Sequence, residues 1–301
     1  LISIDLGSNT VRAIKYDCKT FEKLGVFEKI VRTADKTHET KIVSEDAIKR
    51  VVSAVNEAKA KLEFDGKDAV GVATAAFRKA KNAKSALEAI KKETGVTFKI
   101  IDGETEAFLT ALAVSEKLPH LEQKDCMMLI DIGGGSTEII FKKDDKLVAK
   151  SFDVGILSFA GKHKDKDEME LSIKKECAEM DEFIEDCFYG FSRPTIFCAT
   201  AGTPTTLAAI KMGMSHAEYD GEAINGATLS KDDVEKVYKK LLKISMDERS
   251  RLVGVGRQDL IIAGIVIFKE IFEVSGLHEC VVFDDGLREG VAIAKCKKIN
   301  F

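Results

Sequence analysis

The chain has 301 residues, 45% of them apolar and 32% charged, with a net charge of −4. That length exceeds what one hydrophobic core comfortably serves, so two domains are expected. The negative balance argues against non-specific nucleic-acid binding, and no run approaches the ~18 apolar residues of a membrane span. The five His residues lack zinc-ligand spacing, and neither a Gly-x-Ser-x-Gly elbow nor a Walker lysine loop occurs. Seven Cys without a CxxC pair read as reduced, mostly buried thiols of a cytoplasmic protein. The chain opens directly in a motif-bearing strand, so no signal peptide is expected. It lacks an initial Met, which suggests that a few N-terminal residues are missing.

In chain order, Leu1 to Ile4 is an apolar run ending in Asp5-Leu6-Gly7-Ser8-Asn9-Thr10, and Arg12 to Tyr16 continues as a strand. Phe21 to Arg32 reads as further hairpin or strand. Ser44 caps a helix with Ile48, Val51, Val52, Val55 and Leu62 on one face. Ala69 to Ala73 is a strand, Asn82 to Thr94 a helix stopped by Gly95, Val96 to Ile101 a strand, and Glu104 to Glu116 a helix. Leu118-Pro119-His120 with Glu122 to Asp125 is polar and marks the boundary between residues 1–117 and 118–285. The second part repeats the grammar, with strands at 126–131, 136–142 and 146–153 and a charged helix from Lys166 to Cys187. Pro194 to Cys198 is a strand leading into a helix. Ser230 caps a helix through Leu242, and an apolar helix spans Asp259 to Val274. Cys280 to Phe283 is a strand, and Asp285-Gly286 opens a last helix, 286–301, expected to pack on the first domain.

The chemistry concentrates at turns. Asp131-Ile132-Gly133-Gly134-Gly135-Ser136-Thr137-Glu138 repeats the pattern of the first loop: a strand ending in Asp, then glycine, then hydroxyls. Glycine lets backbone N–H groups approach phosphate, hydroxyls add donors, and carboxylates suit a hard cation. One such loop is ordinarily a turn, but two in matching contexts point to two halves facing one phosphate-filled cleft. Arg78, in Thr74 to Arg78, has the fork geometry for phosphate oxygens, although a lone arginine is as often only solvated. Glu106, in Asp102-Gly103-Glu104-Thr105-Glu106, sits where a carboxylate ordinarily only favours the helix dipole. Gly202-Thr203-Pro204-Thr205-Thr206 starts a helix whose N-terminus suits an anion. Asp285 to Gly290 reads equally as a turn and cap.

Together these stretches resemble the two phosphate motifs of the actin-like ATPase, sugar kinase and chaperone superfamily. Within it, their order resembles the exopolyphosphatase and guanosine pentaphosphate phosphatase family. Thr74 to Arg78, Gly103 to Ala107, Gly155 to Ala160, Gly202 to Leu207 and Asp285 to Gly290 support the match, which runs from residue 1 to 290. The resemblance implies an α/β fold of two actin-like (ribonuclease H-like) domains, with mixed sheets flanked by helices and the active site in the interdomain cleft. It implies that Glu106 orients or deprotonates the attacking water, and that Asp131 and Glu138 lie near metal and terminal phosphate. Gly133, Gly134, Gly135, Ser136 and Thr137 then form the phosphate cradle, with Asp5, Ser8, Asn9 and Thr10 as its partner loop. Arg78, Gly202, Thr203 and Arg257 are expected on the substrate, and Asp5, Asp131 and Glu138 on Mg²⁺. A monovalent cation and a homodimer are compatible with this reading; nucleic acid and membrane partners are not expected.

Three departures from the family pattern stand out. Val255 occupies the usual Pro position before Gly256-Arg257, and Phe108 replaces an arginine after Glu106-Ala107. The chain also ends at Phe301 without the helical C-terminal region of longer members, which implies the short form and weaker processivity. The expected reaction is release of terminal orthophosphate from polyphosphate. Guanosine pentaphosphate hydrolysis is the nearest alternative, followed by an ATPase or kinase and by a non-catalytic sensor. The carboxylates argue against a sensor, because a pure binder gains little from negative charge beside polyphosphate.

Overall fold

A computed structural model describes every residue except 36, 119–124 and 164, so most of the expected boundary segment lies outside the described residues. The strands are β1 (Ile2–Leu6), β2 (Thr10–Tyr16), β3 (Lys23–Ile30), β4 (Ala69–Ala73), β5 (Phe98–Ile100), β6 (Cys126–Ile132), β7 (Thr137–Lys143), β8 (Lys146–Phe152), β9 (Ile196–Thr200), β10 (Ala227–Ser230) and β11 (Glu279–Val282). The helices are α1 (Thr37–Thr40), α2 (Glu45–Leu62), α3 (Ala75–Lys79), α4 (Ala83–Thr94), α5 (Gly103–Glu116), α6 (Ile156–Lys162), α7 (Lys166–Glu176), α8 (Ala178–Gly190), α9 (Gly202–Lys211), α10 (Gly221–Ile224), α11 (Lys231–Lys243), α12 (Met246–Val253), α13 (Ile261–Ser275) and α14 (Leu287–Cys296).

The chain forms two compact units, Leu1–Ala113 with Gly286–Phe301, and Val114–Asp285. The first contains a five-stranded sheet of order β3-β2-β1-β4-β5, antiparallel in its first three strands and parallel from β1 onward. The second contains β10-β11-β9-β6-β7-β8, in which β6, β7 and β8 are likewise antiparallel and β9 pairs in parallel with β6. The fold is therefore mixed α/β, two mixed sheets flanked by helices, as the family resemblance implied.

Alternation along β1 decides what each face of the first sheet does. Ile2, Ile4 and Leu6 pack with Val51, Val55 and Ile90 of α2 and α4. Asp5 and Ser3, at the alternate positions, belong to the face on which Val72, Ile101 and Ile14 meet α5 and α14 through Leu109, Ala113, Leu287 and Ala292. Helix α2 starts where expected: the Ser44 hydroxyl accepts the Ala47 N–H, and Glu45 and Asp46 favour the positive end of the dipole. Helix α4 ends at Gly95, whose φ of 77° suits glycine. In the second unit α13 is apolar around nearly its whole circumference and is buried among α6, α7, α8 and α9.

Several expectations change. The helix expected over 166–187 is broken at Cys177 (φ −95°, ψ 3°) into α7 and α8. Ile173, Met180 and Ile184 keep an apolar stripe across the break, so sequence periodicity reads straight through it. Helices α6 and α12 and the edge strand β10 were not anticipated. The cysteines also differ from expectation: Cys18 and Cys296 form a disulfide, Cα atoms 5.0 Å apart, joining the segment after β2 to the end of α14. Cys126, Cys177, Cys187, Cys198 and Cys280 are free and buried.

Candidate active site

The first hairpin loop is closed by the Gly7 N–H bonding to the Thr10 carbonyl at 3.0 Å. The Ser8 carbonyl accepts from Ala34, and that of Asn9 from Val31 and Arg32, which pins the loop from behind. Among the described residues the Ser8 and Asn9 amides donate to no backbone carbonyl outside the regular elements, and the Asn9 Oδ1 is buried without a hydrogen-bond partner. Asp5, opposite Arg12 across the hairpin, has a sealed Oδ1 that likewise lacks a hydrogen bond. Burial pushes its carboxyl up to about 6, against the pull of Arg12 and Arg288, while Glu289 and Glu28 push the same way as burial. A buried, unsatisfied carboxylate oxygen is costly unless a cation, proton or donor meets it.

The second loop repeats the closure, with the Gly133 N–H bonding to the Ser136 carbonyl at 2.9 Å. The Gly133 and Gly134 carbonyls accept from Ile156 and Leu157 of α6 at 3.0 and 2.8 Å, so α6 braces the glycines. Gly155 permits this: a Cβ there would lie 2.4 Å from the Ser136 nitrogen. Asp131 stands directly opposite Glu138, so the two carboxylates share one face. Hydroxyls orient Glu138, whose Oε1 accepts from Ser136 at 2.8 Å and from Ser151 at 2.6 Å. Like charges directly opposed are unfavourable unless a cation or donors offset them.

Glu106 lies in the first turn of α5, where the Asp102 carboxylate caps by accepting the Thr105 N–H at 2.8 Å. That bond, with one to the Thr105 hydroxyl, holds the Asp102 carboxyl below its ordinary range. Glu106 is only 8% exposed, and its Oε2 lies 2.5 Å from Nη1 of Arg78. Arg78 leaves the short helix α3 and also donates to the Ile101 carbonyl at 3.1 Å. The two residues singled out separately in sequence therefore form one half-buried ion pair.

At α9 the guanidinium carbon of Arg257 is 3.9 Å from where a Cβ of Gly202 would sit, so these two are neighbours. The residue before them, Ala201, holds φ 73°, the left-handed region that non-glycine residues avoid. Two hydroxyls point elsewhere. Thr137 donates to the Val154 carbonyl at 2.6 Å. The Thr203 hydroxyl is buried against Gly264, where a Cβ would lie 2.1 Å from Oγ1. For Thr203 what is left to an anion is the backbone N–H at the start of α9, whereas Thr137 is paired along both edges of its strand. Val255 is 80% exposed beside Gly256 (φ 86°), so the turn carrying Arg257 is made without proline.

Sequence reasoning missed Arg12, Glu28, Ser151, Arg288 and Glu289. Arg12 carried a signal: it follows Asp5 by the same seven positions that separate Glu138 from Asp131. It also missed Asn225, whose side chain accepts the Asp284 and Asp285 N–H groups and donates to the Asp285 carboxylate at 2.9 Å. Tyr219 adds a 2.6 Å hydrogen bond to Asp284, so this buried acidic turn is well partnered. For a magnesium ion, which takes oxygen ligands, Asp5 Oδ1 and the Asp131–Glu138 pair are suitable donors. Among the described residues no three His, Cys, Asp or Glu side chains are gathered as a ready-made metal cluster.

The model of the Ppx/GppA phosphatase family matches residues 14–299. The chain belongs to the Ppx/GppA phosphatase family. It is 24% identical to Exopolyphosphatase 1 of Mycobacterium tuberculosis, covering 97% of this chain and 87% of that protein. It is 23% identical to the Bifunctional 3-dehydroquinate synthase/phosphatase of Fusobacterium nucleatum, over 94% of this chain, and spans 44% of that protein's length. The crystal structure of the Aquifex aeolicus Ppx/GppA family member superposes with a TM-score of 0.74 at 28% identity, covering 100% of this chain and 98% of that one. An exopolyphosphatase structure from Cytophaga hutchinsonii shares the fold, with a TM-score of 0.86 at 21% identity and coverage of 99% and 98%.

Proposed function

We propose that the chain is an exopolyphosphatase that releases terminal orthophosphate from inorganic polyphosphate by attack of water on the end phosphorus. The observation that carries this reading is the Arg78–Glu106 pair: a buried carboxylate held by one guanidinium at a helix N-terminus. A carboxylate so restrained is suited to orient water and take its proton, a contribution typically worth ~10²–10⁴ in rate. Amides of Ser8, Asn9 and Gly134 supply donors for phosphoryl oxygens, and Arg78 and Arg257 supply charge to the chain of anions. Asp5 in the first unit and the Asp131–Glu138 pair in the second each offer oxygen ligands suited to Mg²⁺, which when bound neutralises phosphate charge. The mycobacterial relative named an exopolyphosphatase supports the choice of polyphosphate.

Guanosine pentaphosphate is the second reading, since the sequence motifs resemble those of guanosine pentaphosphate phosphatases as well and the reacting phosphoryl end is chemically alike. Phosphate release from long polyphosphate, guanosine pentaphosphate and ATP, measured in parallel with Mg²⁺, separates the readings. Polyphosphate is expected to give the highest kcat/KM. Preference for guanosine pentaphosphate would select the second reading, and release from ATP alone would contradict both.

A further inference from the structure

We propose that Arg288 and Glu289, in the first turn of α14, are positioning residues for Asp5 and for the phosphate loop it begins. The inference rests on the functional reading above but concerns residues to which that reading gives no role. Both side chains are almost fully buried, at 6% and 1% exposure. Arg288 Nε donates to Glu289 Oε1 at 2.6 Å, while Glu289 Oε2 accepts the Gly286 N–H at 2.9 Å. Capping a helix needs one acceptor and no arginine. A buried ion pair adds little stability over apolar side chains of similar volume, so a buried arginine here calls for a further object of its charge.

That object is Asp5. Asp5 lies on the sheet face that α14 covers, and both Arg288 and Glu289 act on its carboxylate electrostatically. Arg12, its cross-strand neighbour, is itself tied to Glu28 at 3.1 Å. Two arginines, each paired with its own glutamate, therefore act on Asp5. They attract the carboxylate while its Oδ1 stays without a hydrogen bond.

The same turn of α14 is fixed against the helix that carries Glu106. A Cβ on Gly290 would lie 1.9 Å from the Leu109 carbonyl oxygen, so α14 and α5 meet backbone to backbone. Leu109 follows Glu106 by one turn. One rigid joint thus references both the Asp5 loop and the Glu106 helix.

The test compares Arg288→Met and Arg288→Lys with the full wild-type chain by hydrogen exchange and steady-state kinetics. In Arg288→Met the amides of Leu6 to Thr10 are expected to exchange at least tenfold faster. Its kcat should fall tenfold or more, with KM within threefold of wild type. Arg288→Lys, which keeps the charge and loses the fork, should lie between the two on both readouts. If Arg288→Met does not fold, Arg288→Lys against wild type decides by the same criteria. Unchanged loop exchange would overturn the proposal, as would a raised KM at constant kcat, which would put Arg288 on the substrate. A wild-type chain inactive on every phosphate substrate would refute the functional reading alone, because the exchange arm needs no turnover.

Discussion

Replacing Arg78 by Ala removes the cation that holds Glu106, and the consequence can be bounded from the geometry. The side chains are 19% and 11% exposed and meet at 2.5 Å. Breaking a fully buried pair by removing one partner costs about 3–5 kcal/mol, whereas a surface pair is worth about 0–1 kcal/mol. This pair lies between those limits, and Arg78 also satisfies the Ile101 carbonyl. Arg78→Ala is therefore expected to lose ~2–3 kcal/mol of stability, and a cycle with Glu106→Gln should show a coupling of ~1–2 kcal/mol. Urea unfolding of the wild type, both single variants and the double variant measures this. In phosphate-release assays Arg78→Ala should raise KM, because the same guanidinium is the candidate phosphate ligand, and lower kcat, because Glu106 loses its restraint. Additivity within ~0.5 kcal/mol would refute the pairing, and an unchanged KM would refute the phosphate role.

Asp5 gives a prediction with a definite sign. Its carboxyl is raised from 3.8 to about 6, so folding favours the protonated form. The stability from that preference is complete below pH ~4 and is lost as pH rises through about 6. A rise of that size would amount to ~3 kcal/mol for a sealed group, and ~1–2 kcal/mol is expected for this half-buried residue. Asp5→Asn, studied in chelator, should therefore be more stable than wild type at pH 8 and equal to it near pH 4, while losing phosphate release. An equal gain at both pH values would contradict this. Reducing the Cys18–Cys296 bond, which closes 278 positions, should lower stability by ~2–5 kcal/mol. Denaturation with and without dithiothreitol checks it: Cys18→Ser should already be destabilised and insensitive to the reductant, and an insensitive wild type would count against the tie.

What was legible in the sequence was what is local. An Asp at a strand end followed by glycine and hydroxyls defines a hairpin loop on its own, because turn length and alternation fix where the next side chains point. That is why the two matching Asp-glycine-hydroxyl loops were readable, whereas the facing of Asp131 and Glu138 across the hairpin emerges only from the strand register. The Arg78–Glu106 pair joins residues 28 positions apart from separate helices, and its two members were weighed as a solvated arginine and a dipole-favoured carboxylate. Hydroxyl direction was illegible for another reason. Thr137 and Thr203 belong to phosphate-type motifs, yet core packing turns one hydroxyl to the Val154 carbonyl and the other toward Gly264. The same holds for α14, whose Arg288-Glu289 reads as a helix cap until the sheet that it covers is known.

The role of Glu106 is tested most directly by Glu106→Gln, with phosphate release from polyphosphate and equilibrium binding of polyphosphate measured on the same preparation. Release should fall by ~10²–10⁴ while binding stays within a few-fold of wild type. Turnover near the wild-type rate in the folded variant would contradict the assignment of Glu106 as the residue that prepares water for attack.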